Sequence, residues 1–67
     1  MEIANRLAER VRALRREKGW SQEELAHRAG LHRTFISQVE RAVKNTTIAA
    51  TEKIARALEV RMGDLLD

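Results

Sequence analysis

The chain has 67 residues, enough for one domain with one small core. It contains no cysteine and only two histidines, which excludes a disulfide framework and a thiolate metal site and leaves association with another chain as the source of added stability. Thirteen Lys and Arg against ten Asp and Glu give a net charge of +3 and a pI near 10.2. That balance favours a polyanionic partner such as nucleic acid, and the short apolar runs predict neither a membrane span nor an export signal.

A first helix is predicted from Ile3 to Lys18, where Ile3, Leu7, Val11 and Leu14 recur on one stripe. Arg6, Arg10, Arg12 and Arg16 lie on its other faces and read mostly as a solvated surface, and Gly19 supplies the stop. Ser21, followed three residues later by Glu24, is a capping box. It opens a second helix that runs to Ala29 with Leu25, Ala26 and Ala29 inward, and Gly30 suits the sharp turn that follows. A third helix is expected from Arg33 to Arg41, with Ile36 and Val39 inward. After a short loop at 44–46, Thr47 caps a fourth helix, Ile48 to Glu59, that turns Ile48, Ile54, Ala55 and Leu58 inward. The tail from Val60 to Leu66 holds one more helical turn. The expected fold is all-α: a single domain over residues 1–67, built as a compact bundle of about five short helices.

Two short helices joined by a glycine turn are the sequence signature of a helix-turn-helix, whose second helix enters the DNA major groove. The string KGWSQEELAHRAGLHRTFISQVERA resembles the Cro/phage-repressor-type, or XRE, family of helix-turn-helix proteins. The flanks RLAERVRALRREKG and IAATEKIARALEV extend the resemblance from Ile3 to Leu66. Within that family, HRTFISQVER followed by KNTTI looks most like the restriction-modification controller proteins. The resemblance implies a lambda-repressor-like bundle with the helix-turn-helix at its centre.

It also assigns roles that the side-chain chemistry supports. Arg33 and Thr34 open the recognition helix and are expected at base edges: arginine can grip guanine O6 and N7 together, and threonine can meet a thymine methyl. Gln38, one turn further on, is placed to read an edge, and Ser37 to reach a base or a phosphate. Phe35 packs in the core or against a thymine methyl. Gln22 matches the family's phosphate clamp at the start of the second helix, where backbone N–H groups and the dipole favour anions. Arg41, Lys44 and Thr46 lie where the family makes further backbone contacts, with plain solvated charge as the alternative for Arg41 and Lys44. Glu40 follows Ile36 by one turn and shares its inward side, so it requires a cationic partner. The family pairs this position with that of Arg15, and an Arg15–Glu40 ion pair is expected to orient the recognition helix. Trp20 reads as a core anchor and His27 as a surface residue, while His32 faces solvent or a phosphate.

Four positions depart from the family's habits. Ala42 stands where glycine is frequent, Thr46 where the loop commonly carries proline, and Arg61 where a small capping residue is expected. Thr51 replaces a leucine of the fourth helix, tolerable because its hydroxyl can bond back to the carbonyl four residues earlier. Val60, Met62, Leu65 and Leu66 form an apolar patch expected to pair two copies. The combined expectation is a cytoplasmic transcription regulator, repressor or activator, that binds a pseudo-palindromic operator in double-stranded DNA as a homodimer, without cofactor, small-molecule effector or membrane. The alternative is an antitoxin-like module that binds another protein. An enzyme is disfavoured, because Glu23, Glu24, Glu40 and Glu52 show no pairing in a pocket.

Overall fold

The computed structural model describes residues 3–43 and 46–66, so Lys44 and the side chain of Ile3 lie outside the described residues. Five helices follow one another: α1 (Ile3–Glu17), α2 (Gln22–Ala29), α3 (Arg33–Glu40), α4 (Ile48–Leu58) and α5 (Met62–Leu66). No strand occurs among the described residues.

The turns are set by local chemistry. Gly19 adopts φ +73°, and the next amide, that of Trp20, donates back to the Arg15 carbonyl at 3.1 Å. Gly30 does the same work at φ +70° between α2 and α3, with the Leu31 amide donating to Ala26 at 2.9 Å. The Ser21 hydroxyl accepts the Glu24 amide at 3.0 Å, but the reciprocal arm of the expected capping box is diverted. The Glu24 carboxylate accepts from Arg28 Nε at 2.7 Å instead. At α5 the other half of that box appears alone: Arg61 has no acceptor to offer, and Asp64 reaches back to its amide at 3.0 Å. Thr47 caps α4 through the Ala50 amide at 3.0 Å, and the Thr51 hydroxyl donates to the Thr47 carbonyl at 2.8 Å.

The core gathers Leu7 and Val11 of α1, Leu25, Ala26 and Ala29 of α2, Ile36 and Val39 of α3, Ile54, Ala55 and Leu58 of α4, and Leu65 of α5. Two expectations are corrected. Ile48 is 78% exposed: it opens α4 directly after the cap, two positions before Ala50, where the buried stripe starts. Leu65 is fully buried in the chain's own core, where α5 packs on α1 and α4, so it cannot belong to an exposed pairing patch. Val60, Met62 and Leu66 remain half-buried.

The arginines of α1 are also more than a solvated face. Arg10 Nη1 donates to the Asp64 carbonyl at 2.6 Å and Arg6 Nη1 to the Leu66 carbonyl at 3.3 Å. Both thereby satisfy carbonyls at the end of α5 and place positive charge against the negative end of its dipole.

Ala42 leaves α3 in the left-handed region at φ +55°, with the Val43 amide donating to Gln38 at 3.2 Å. A Cβ is strained there and glycine is not. Ala42→Gly is therefore expected to stabilise the domain by about 1 kcal/mol, read as a higher denaturant midpoint at unchanged slope.

Candidate nucleic-acid interface

Helix α3 divides cleanly. At about 100° per residue, Arg33, Thr34, Ser37, Gln38 and Arg41 share one side, while Ile36, Val39 and Glu40 are buried on the other. Arg33, Thr34 and Arg41 are exposed, and Ser37 and Gln38 are half-buried with their outer edges on the same side. Among the described residues the side chains of Arg33 and Thr34 make no hydrogen bond or ion pair within the chain, so their donors are available to a partner. Phe35 sits between the two sides, half-buried and packed against the core, which favours its packing role. His32 precedes the helix in extended backbone without a side-chain capping bond.

Glu40, the last residue of α3, is buried and fully engaged. Its carboxylate takes Arg15 Nε at 2.6 Å and Arg15 Nη2 at 2.9 Å, a two-pronged pair. Gln22 Nε2 donates to the same carboxylate at 3.1 Å, and Arg12 Nη1 donates to the Glu40 carbonyl at 2.9 Å. Arg15 is itself nearly buried, its side chain 11% exposed, and its remaining Nη1 donates to the Trp20 carbonyl at 2.8 Å. The hydrogen bond to Glu40 raises the Arg15 pKa above its ordinary value; burial acts the other way and the carboxylate's charge reinforces the rise. Every charged atom of the cluster is answered, which a buried ion pair requires if it is not to destabilise the fold.

The Helix-turn-helix family HTH_3 matches residues 11–65. The chain is a member of the HTH_3 helix-turn-helix family. A hypothetical transcription factor of Neisseria meningitidis is 50% identical to it over 60 residues, covering 90% of this chain and 57% of that protein. The chain thus spans little more than half of that relative's length. The crystal structure of a Neisseria hypothetical transcription factor superposes with a TM-score of 0.95 at 45% identity, covering 98% of this chain and 76% of that one. Control protein C.SmaI of Serratia marcescens is 44% identical over 66 residues, 98% of this chain and 79% of that protein. SinR, a master regulator for biofilm formation solved in complex with DNA, matches with a TM-score of 0.87 at 37% identity, over 91% of this chain and 98% of that one.

Gln22 lies at the first position of α2, half-buried and turned toward Glu40. Arg41 is exposed, its Nε donating to the Ser37 carbonyl at 3.4 Å. Thr46 is half-buried, with Oγ1 donating to the Thr47 carbonyl at 3.4 Å. Trp20 is half-buried, with the Arg28 guanidinium 4.3 Å and the Lys18 ammonium 5.3 Å from its ring centroid. It ties the turn after α1 to α2 through cation–π contact as well as packing. His27 is exposed. Sequence reasoning missed the links from Arg12 and Gln22 to Glu40. A signal existed for Arg12, which lies three residues before Arg15 and so shares its face of α1. Among the described residues no three His, Asp or Glu side chains converge to hold a metal, and no helix is long and apolar enough to cross a membrane.

Proposed function

We propose that this chain is a sequence-specific DNA-binding transcription regulator that binds a pseudo-palindromic operator as a homodimer, with restriction-modification control as its setting. The observation that carries this reading is the outward row of Arg33, Thr34, Ser37, Gln38 and Arg41 on a helix whose other side is locked into the core. A helix so anchored presents donors and acceptors at fixed positions, which is what discrimination between base pairs demands. Arg33 and Thr34 read base edges, Gln38 and Ser37 extend the reading one turn on, and Phe35 supports them from below. Gln22, Arg41, Lys44 and Thr46 position the duplex through its phosphates. Similarity to control protein C.SmaI and to DNA-bound SinR supports both the activity and the setting.

Pairing of two copies is supported by apolar surface outside the core: Ile48 and Val43 are 78% and 62% exposed, and Val60, Met62 and Leu66 are only half-covered. Two-fold pairing would place two recognition helices on half-sites about one helical turn apart. Such a protein acts in the cytoplasm on the nucleoid and catalyses no reaction; Glu24, Glu40, Glu52 and Glu59 are engaged in ion pairs and Asp64 caps α5.

The test is selection of duplexes from a random pool, followed by affinity measurements across a salt series. A two-fold symmetric site is expected to enrich, with affinity falling steeply as salt rises because phosphate contacts release counterions. Arg33→Ala is expected to cost about 1 to 3 kcal/mol of binding to that site and to relax preference at one base pair of each half-site. Equal, weak binding to every sequence would overturn the reading.

A further inference from the structure

Gln22 and Glu40 come from different helices with different duties. Gln22 opens α2, beside backbone N–H groups that have no partner within the helix; Glu40 closes the recognition helix. Yet Gln22 Nε2 rests 3.1 Å from Glu40 Oε1, and that oxygen also takes Arg15 Nη2 at 2.9 Å.

A carboxylate only accepts hydrogen bonds, so it dictates which end of the Gln22 amide faces it. The nitrogen must point at Glu40. One of its two N–H bonds is consumed there and the other is left for a partner outside. A phosphate oxygen, itself only an acceptor, can take that second N–H together with the backbone N–H groups of the same helical start. The carboxylate cannot drift to suit another rotamer of Gln22. It is buried, gripped by both prongs of Arg15, and continuous with a backbone whose carbonyl is held by Arg12 at 2.9 Å. The first turn of α2 also carries Glu23 and Glu24, which oppose an incoming phosphate; Arg28 pairs with Glu24 at 2.7 Å and offsets one of them. In such a setting a loosely held glutamine would gain little from a phosphate, because ordering its side chain costs entropy at the moment of binding.

We propose that Glu40 is a positioning residue for the DNA-backbone clamp: held by Arg15, it fixes the Gln22 amide in advance so that one Nε2–H is presented to a phosphate. This rests on the DNA-binding reading above and deepens it. The same carboxylate then sets both the seating of the base-reading helix on α1 and the orientation of the clamp on α2, so the two contacts keep a constant offset along the duplex.

The test is a double-substitution cycle on the selected operator, with a spectroscopic measurement that needs no DNA. Gln22→Ala alone is expected to weaken binding about 10-fold, the loss of one hydrogen bond to a charged group. Its salt slope should stay unchanged, because a neutral amide releases no counterion; Arg41→Ala should instead reduce the slope by about one. In a Glu40→Gln background, where the amide no longer offers Arg15 and Gln22 a full carboxylate, Gln22→Ala is expected to cost under about 2-fold. A cost of 10-fold in both backgrounds overturns the positioning role, as does no cost in either. In the unbound wild-type protein the Gln22 side-chain amide is expected to be rigid by 15N relaxation, whereas that of Gln38 moves freely. Equal mobility of the two overturns the proposal even if Glu40→Gln does not fold. Failure of the wild-type protein to bind any duplex would count against the DNA-binding reading, and the relaxation result would still judge the link between Gln22 and Glu40.

Discussion

Glu40→Ala is expected to remove about 3 to 5 kcal/mol of folding stability, measured by chemical denaturation. The loss is large because the substitution strands Arg15, whose side chain is 11% exposed, with two donors and a charge unanswered, and deprives Gln22 of its acceptor. A domain of this length has only about 3 to 10 kcal/mol in total, so the loss is a large share of the whole and the denaturant midpoint should fall sharply. Removing both partners is expected to be gentler. Arg15→Met combined with Glu40→Met takes away the charge and its counter-charge together and fills the space with flexible apolar chains. The double variant should recover much of the loss, but not all, since the Trp20 carbonyl forfeits the donor it had at 2.8 Å. If the double variant is no more stable than the single one, the cost lies in packing around Glu40 and not in a stranded charge.

Leu65→Ala is the second large effect, at about 2 to 5 kcal/mol, the usual cost of emptying a fully buried leucine site. Leu65 is the only fully buried residue of α5 among those described, and it ties the last helix to α1 and α4. The experiment distinguishes its place in the chain's own core from a place between two copies. At concentrations low enough to keep the chain monomeric, the unfolding midpoint is expected to fall. A midpoint that holds while self-association weakens would mean that Leu65 faces a second copy.

Much of this architecture is legible in the sequence, and the reasons are local. Ser21, Gly30 and Thr47 announce helix ends because a cap or a left-handed turn is satisfied by residues within a few positions. Glu40 announces a partner because a carboxylate on an apolar face has no stable alternative, and Arg15 meets it across 25 residues of chain. What the sequence conceals is where the core stops. Periodicity gives the inward face of α4 but not the point at which α4 runs past its neighbours, so Ile48 reads as buried and is not. An apolar residue in a short last helix reads alike whether it fills its own core or a partner's, and Leu65 fills its own. Arginines are the hardest to read. Arg6 and Arg10 look like a solvated face, yet they reach carbonyls 60 and 54 residues away. Long, flexible stems can grip a distant backbone without leaving any trace in the spacing. The outward row of α3 is visible in both sequence and structure, while Lys44 lies outside the described residues.

Trp20 is the chain's single tryptophan, and its surroundings make it an optical reporter for the whole helix-turn-helix. Two cations lie over its ring, and its own carbonyl is the third ligand of the arginine that holds Glu40. Indole emission responds to nearby charge and to water, so its colour and intensity are tied to the same cluster that seats α3. The protein therefore carries, without any added dye, a fluorescent gauge of whether helix α3 is in place.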